Sequence, residues 1–517
     1  MRRIIQLLSL LFFTYLFFRA SYPLTSIIPV DLFLRIDPLN GLVTSLASRE
    51  LVQRALPSVL LIVLTLLFGR FFCGYLCPLG TVLDLANRLF ARKKTRFVEQ
   101  LRGLKFYLLI GLTVAAICGA NLLYLFDPIV ILTRTYTIAF YPLSIVLANL
   151  SLDWLRPLAE SQGWITLSYL HYQQPFFAMS IVTGLIFTGI VFLNLITPRF
   201  WCRYCCPLGA LLALFSRFGV FKRVVNNCCS TCMKCQDVCP MGAIGDNPQK
   251  VKASECLQCR TCRIICPQEA ISFKAIYSPF HEDAQRTIVV TRRGFLSALS
   301  GGFASGFFLF NTPSKKKRDD TLIRPPGALP EEDFLNTCIR CSKCMKVCIT
   351  NTLQPSLFES GLEGLWTPRA DLRFAACEQT CNLCGKVCPT QAIRDLDIEE
   401  KKHAKIGTAV ILKEKCLVWE QDKVCLICDE QCPYNAIVFK TVEGFRRPFV
   451  LENKCNGCGF CEHKCPIEGG AAIVVKPLGE VRIKEGSYLV EAKKSELDLE
   501  EDSGYDQFLF ETEEQTK

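Results

Sequence analysis

Apolar and polar positions divide the chain near residue 220. Upstream, apolar runs approaching the roughly 20 residues that cross a bilayer occupy about 4–20, 53–72, 104–126 and 176–197; downstream, cysteines and charged residues alternate in short segments. This pattern predicts an α-helical membrane domain of four spans over residues 1–220, followed by compact α+β modules. The first run reads as an anchor rather than a cleaved signal, because no small-residue cleavage site follows Phe18-Arg19 and its removal leaves an odd number of spans. The stretch Pro128–Leu150, broken by Arg134 and Pro142, is placed in the interface or as a re-entrant segment and is not counted as a span. Arg2 and Arg3, and the loop residues Arg92, Lys93, Lys94, Arg96, Arg102 and Lys105, are expected on the cytoplasmic side, which leaves residues 21–50 and 127–174 outside.

A further apolar run begins TRRGFLSALSGG at Thr291. Arg292 and Arg293 before a Gly-interspersed, mildly apolar stretch match a twin-arginine export signal inside the chain, the kind that exports folded, cofactor-loaded domains. The alternative is a short fifth span or a buried helix, and Lys315, Lys316, Lys317 and Arg318 on its far side oppose easy translocation. The expected fold class is an α-helical membrane domain, four spans plus one signal-anchor, with α+β ferredoxin-like modules. Its domains are 1–220 (membrane), 221–275 (a cysteine-rich module), 276–325 (signal or anchor and linker), 326–490 (a second cysteine-rich domain) and 491–517, an acidic tail poor in aliphatics.

The membrane part is duplicated. FFCGYLCPLGTVLDLANRLF (71–90) aligns with FWCRYCCPLGALLALFSRFG (200–219), and Asp37-Pro38 corresponds to Asp127-Pro128 on the outer side of each half. Parallel repeats bring equivalent motifs together around a pseudo-axis, so Cys73, Cys77, Cys202 and Cys206 are expected to face one another at the cytoplasmic boundary. Helical i, i+4 spacing would put both sulfurs of each motif on one face. They suit a dithiol/disulfide pair, or a shared metal or cluster; structural thiols fixing the turn before Pro78 and Pro207 are the alternative.

Thirty-one cysteines in 517 residues exceed what a chain with a sufficient core needs for stapling, so they carry chemistry. Four histidines leave no room for paired haem ligands on spanning helices. The net charge of +11 sits beside apolar segments, which argues against nucleic acid as a partner. Cys229, Cys232, Cys235, Cys239-Pro and Cys256, Cys259, Cys262, Cys266-Pro repeat the bacterial run in which three cysteines close on one [4Fe-4S] cubane and the fourth ligates its neighbour. Thus Cys229, Cys232, Cys235 and Cys266 are assigned to one cluster, and Cys256, Cys259, Cys262 and Cys239 to the other. Zinc favours two separated pairs instead.

Four more runs follow: Cys338, Cys341, Cys344, Cys348; Cys377, Cys381, Cys384, Cys388; Cys416, Cys425, Cys428, Cys432; and Cys455, Cys458, Cys461, Cys465. They make six 4Fe-4S clusters in all. The spacing departs from the simple rule after Cys377 and Cys416, and Ile349 stands where the first run should have proline. Of the remaining cysteines, Cys118 reads as core packing, and Cys205 and Cys228 as spares beside ligands.

An export signal followed by these runs resembles the NapG/MauM family of periplasmic four-cluster ferredoxins. Two CxxxCP motifs on four spans with a two-cluster module behind them resemble the NapH/MauN family of quinol-oxidising membrane subunits, so the chain resembles a fusion of both. The resemblance implies pairing of the first run with the fourth and of the second with the third. Cys465 would then join Cys338, Cys341 and Cys344; Cys348 would join Cys455, Cys458 and Cys461; Cys432 would join Cys377, Cys381 and Cys384; and Cys388 would join Cys416, Cys425 and Cys428. It also implies a bacterial inner-membrane electron-transfer protein that oxidises quinol. The two-cluster module would be cytoplasmic, the four-cluster domain periplasmic, and the partners the quinone pool and a periplasmic redox acceptor. A proton acceptor is then needed among Asp37, Asp127, Asp84, Asp153, Glu50, Glu160 and His171, and duplication favours Asp37 and Asp127. Two other readings are a CcoG-like maturation or metal-reducing factor, and a conduit fed by a cytoplasmic ferredoxin. No G-x-G-x-x-G opens a βαβ unit.

Overall fold

A computed structural model describes residues 2–89, 99–275, 290–310 and 321–499. Arg92, Lys93, Lys94 and Arg96, the run Lys315 to Arg318, and the tail beyond residue 499 lie outside the described residues. The chain forms two compact units. One comprises Met1–Thr312 with Leu335–Lys343 and Pro389–Gln391; the other comprises Pro313–Phe334, Cys344–Cys388 and Ala392–Lys517.

Helices form in each expected span of the first unit, but most are short: Ser58–Phe68 has 11 residues, Leu104–Ile117 has 14 and Ser180–Phe192 has 13. At about 1.5 Å per residue they rise roughly 16–21 Å, less than the roughly 30 Å hydrocarbon layer. Arg2–Arg19 is longer, at 18 residues, yet includes three arginines. Among the described residues, length and composition together single out one helix able to cross a membrane, Pro128–Ser161, of 34 residues. This corrects the expectation for Pro128–Leu150. The two interruptions are absorbed locally: buried Arg134 donates to the Tyr124 carbonyl at 3.2 Å. Pro142 follows a π-helical turn (Tyr136–Phe140), in the first turn of the next segment, where its missing N–H costs little.

The duplication is structural as well. Asp37 and Asp127 cap equivalent helices beginning Pro38 and Pro128, each accepting two backbone N–H groups. The CxxxC stretches are π-helical turns, Phe72–Leu76 and Trp201–Cys205, rather than α-helix, so the i, i+4 face does not apply. Cys77 and Cys206 leave the turns in extended backbone and start the helices at Pro78 and Pro207. The helix Arg292–Phe310 packs on Leu104–Ile117 through small residues: a Cβ on Gly302 would lie 2.7 Å from the Gly111 carbonyl oxygen.

The α+β expectation holds for the cysteine-rich modules. In the first unit, β1 (Phe221–Val225) pairs antiparallel with β2 (Ile271–Ala275), with Val225 opposite Ile271. In the second unit β3 (Leu353–Pro355) pairs with β4 (Pro368–Ala370). Two further antiparallel pairs complete it: β5 (Thr408–Ile411) with β8 (Ile473–Lys476), and the hairpin of β6 (Ile437–Val442) and β7 (Phe445–Val450). Short helices between the strands carry the cysteines.

Candidate metal centres

The regular C-x2-C-x2-C runs share one backbone device. The residues flanking the middle cysteine are left-handed in all four: Thr231 and Met233, Gln258 and Arg260, Arg340 and Ser342, Gly457 and Gly459. Alternating left-handed residues turn successive N–H groups inward, the concave donor arrangement that favours an anionic group. The irregular runs lack it: no residue between Cys377 and Cys384, or between Cys425 and Cys428, has positive φ. Their longer loops compensate in another way, through Gln379. Its Oε1 accepts from Tyr434 Oη at 2.6 Å and Asn456 Nδ2 at 3.0 Å, tying together the ligand loops of three runs.

Three apolar pockets are each bounded by three cysteines of one run and the fourth of another. Cys256, Cys259 and Cys262 meet Cys239, as expected. In the second unit Cys416, Cys425 and Cys428 meet Cys465, while Cys455, Cys458 and Cys461 meet Cys432. A further set joins Cys377, Cys381 and Cys384 with Cys348 through mutual electrostatic contact. The third run therefore exchanges its fourth cysteine with the fourth run, and the first run gives its own to the second. This overturns the expected first-with-fourth and second-with-third pairing. The physical reason lies in the strands: β5–β8 and β6–β7 bind the third and fourth runs into one submodule.

Each set fits a [4Fe-4S] cluster. Ala243, Ala436 and Ala472 donate backbone N–H to the sulfurs of Cys239, Cys432 and Cys465, each at 3.3 Å, the hydrogen bonds that stabilise charge on ligand sulfur. Burial pushes the thiols of Cys256 and Cys458 up to about 12, so binding the group as thiolate must release protons. In the first module Cys235 packs with Cys266 in one apolar cluster. Arg223 lies between the two sets, against the Cys235 sulfur at 3.9 Å and beside Cys262.

Neighbouring sites lie back to back. Cys377 N–H donates to the Cys458 carbonyl at 2.9 Å, so the second-run site abuts the fourth-run site. Buried Lys401 donates to the Glu378 carbonyl at 2.5 Å and faces the Cys377 sulfur.

Cys73, Cys77, Cys202 and Cys206 are all buried and come together as expected. Asp37 and Asp127, both fully buried, also meet. Each uses one oxygen as helix cap, the two carboxyls are in mutual contact, and burial, then the Asp127 charge, push the Asp37 carboxyl up. Asp84 is committed instead to Arg199 (2.7 Å) and Arg2 (2.6 Å), and Asp153 to Arg156 (3.1 Å). The structure adds Arg70, Arg199, Lys105, Glu255, Gln379 and Lys401 to the sites. The two arginines were findable, since RFFC and RFWC extend the repeat by one residue upstream.

A family model described as a 4Fe-4S binding domain matches residues 55–96 and 179–226. The methylamine utilization ferredoxin-type protein MauM of Methylorubrum extorquens is 40% identical over 173 residues, covering 32% of this chain and 76% of that protein. The ferredoxin-type protein NapG of Escherichia coli is 35% identical over 202 residues, covering 36% of this chain and 86% of its own. An uncharacterized protein of Methanocaldococcus jannaschii is 29% identical over 263 residues, covering 51% of this chain and 91% of its own.

Proposed function

The chain belongs to the family of the ferredoxin-type proteins MauM and NapG, an iron-sulfur electron-transfer family, and from that premise we propose that it is membrane-anchored and oxidises quinol. In this reading a NapH/MauN-like membrane subunit is fused to the ferredoxin-type part, six 4Fe-4S clusters are held by the 24 cysteines of the six runs, and electrons leave to a periplasmic redox partner. When bound, the clusters supply one-electron carriers. The chain's residues hold them close, exclude water and set their charge environment.

The observation that carries this reading is the contact between ligand loops: Cys377 N–H on the Cys458 carbonyl brings neighbouring sites within one peptide of each other, an arrangement for passing electrons rather than for isolated structural sites. The membrane assignment is supported by outward apolar faces. The long helix exposes Leu143, Leu147, Leu150, Trp154 and Leu158, and Ser180–Phe192 exposes Ile181, Val182, Leu185 and Ile186, more contiguous apolar surface than water tolerates. Asp37 and Asp127 are the proton acceptors, since a buried carboxyl pair in mutual contact holds one proton between them. The Arg292–Phe310 helix is the export signal and anchor of the C-terminal unit; replacing Arg292 and Arg293 by Lys is then expected to leave residues 321–499 protected from protease added outside the cell.

Anaerobic stopped-flow mixing of the reconstituted full chain with a menaquinol analogue tests the donor. Loss of visible cluster absorbance is expected. Unchanged absorbance, with rapid bleaching by a reduced soluble ferredoxin, overturns quinol as donor and favours a conduit fed from the cytoplasm.

A further inference from the structure

The first of the four C-terminal runs is divided between the two units. Leu335–Lys343, with Cys338 and Cys341, belongs to the first unit, whereas the cysteines of the other three runs all lie in the second. The cause is a set of contacts made from inside the ligand loop. Arg340, between Cys338 and Cys341, is left-handed at φ +54° and only 2% exposed. Its Nη1 donates to the Asn121 and Cys338 carbonyls, both at 2.8 Å, and its guanidinium lies over the Tyr124 ring, 4.4 Å from the centroid. Two residues before Cys338, the Asn336 carbonyl accepts from Asn121 Nδ2 at 2.9 Å. Two residues after Cys341, buried Lys343 lies over the Phe17 ring, 5.4 Å from its centroid.

The surface that receives this loop leads directly into the carboxyl pair. Asn121 Oδ1 accepts from the Leu123 N–H at 3.2 Å, and the Leu123 carbonyl accepts from the Asp127 N–H at 3.0 Å. Arg134, on the helix that Asp127 caps, donates to the Tyr124 carbonyl at 3.2 Å and faces Arg340 and Cys341. From Asp127 to the loop of Cys341 the connection therefore needs one short turn, Leu123–Leu125, and one hydrogen bond, Arg340 to Asn121. Three buried cations, Arg134, Arg340 and Lys343, stand around Cys341. Asp31 faces Lys343 and is itself paired with Arg35 at 2.7 Å. Fixed cations beside a cluster favour its reduced, more negative state, which suits a site that accepts electrons.

We propose that the site of Cys338 and Cys341 is the entry point of the C-terminal clusters: it receives the electrons released beside Asp37 and Asp127, and Arg340 is the positioning residue that seats it there. The inference rests on the quinol reading above and names the acceptor within the chain. Each quinol oxidised to quinone gives up two electrons and two protons. The electrons enter this site one at a time, the first moving on to the second-run site, for which the first run supplies Cys348, before the next arrives. The protons leave through the carboxyl pair.

Rapid-freeze EPR of the full chain in proteoliposomes, mixed anaerobically with a menaquinol analogue, reads the order of reduction. Cys341→Ser identifies the first-run signal, by its loss or change in dithionite-reduced protein. In the parent that signal is expected to be the earliest of the C-terminal ones. Arg340→Gln and Asn121→Ala leave every cysteine in place and are expected to slow its appearance by about tenfold or more, with all cluster signals still formed by dithionite. Arg340→Lys keeps a cation over Tyr124 and is expected to recover part of the rate. Another C-terminal signal appearing first, or quinol reduction at the parent rate in both Arg340→Gln and Asn121→Ala, overturns the proposal and leaves quinol standing as donor. No reduction of any cluster by quinol in the parent overturns the quinol reading itself. Should Cys341→Ser fail to fold, the comparison of the parent with Asn121→Ala, which alters no residue of the run, still decides the question.

Discussion

Lys401 shows how a single residue sets the properties of a site. Its ammonium is buried against the loop of the second run, faces Cys377 and is fixed by the Glu378 carbonyl. A fixed cation beside a cluster stabilises the reduced, more negative state. Lys401→Met is therefore expected to lower the midpoint potential of one cluster by tens of millivolts and leave the others in place, as read by EPR-monitored redox titration; an unchanged set of potentials would show that the lysine is structural. At this scale the sequence was readable wherever the residue type itself carries the signal, which is why Cys239 was expected beside Cys256, where the structure has it. Lys401 and Gln379 were not readable, because a lysine or glutamine carries no spacing signature and acquires its role only from what the fold packs beside it. Arg70 and Arg199 are a partial exception, recoverable from the repeat.

Elements were legible to the extent that their geometry follows from local spacing. Two residues between cysteines leave room for the left-handed positions that bend Thr231 and Met233, or Gly457 and Gly459, around a sulfur, so the regular runs announced themselves. Hydropathy, by contrast, counts apolar residues without locating helix ends. The run 104–126 contains Gly119 at φ +82°, and the helix stops at Ile117. Pairing of the four C-terminal runs was equally hidden, since spacing within a run says nothing about which run supplies its fourth ligand. The entry to the C-terminal unit depends on a local charge cluster. Glu331 is bound by Arg324 at 2.5 Å and Arg482 at 2.7 Å, and accepts from Ser360 at 2.6 Å. Burial opposes ionisation of Glu331, but the two arginines outweigh it and hold its carboxyl well below the usual range. A depressed folded pKa means stability that is present above the unfolded value near 4.5 and is lost as pH falls below it. Thermal unfolding of the full chain between pH 6 and 3 is expected to show that loss in the parent. Glu331→Gln, less stable by about 1–3 kcal/mol near neutral pH, should have a flatter profile. Parallel profiles would assign the acid sensitivity elsewhere, for instance to the clusters.

At the scale of the whole molecule, the first unit carries outward apolar helices and both units carry cysteine modules. The broad class was legible from the hydropathy divide at residue 220 and the cysteine count, and membership in the MauM and NapG family agrees with the four C-terminal runs. The long helix Pro128–Ser161 was missed because Arg134 and Pro142 look like breaks until burial and the π-helical turn absorb them. The central claim is that one chain takes electrons from quinol and carries them to the C-terminal clusters. Rapid-freeze EPR of the full chain in proteoliposomes, mixed anaerobically with a menaquinol analogue, tests it most directly when the parent is compared with Cys428→Ser, which removes one ligand from a C-terminal site. The account predicts signals from reduced clusters in the parent, with one component absent from the variant. Quinol-reduced spectra that are identical in parent and variant, or no reduction by quinol at all, would contradict it.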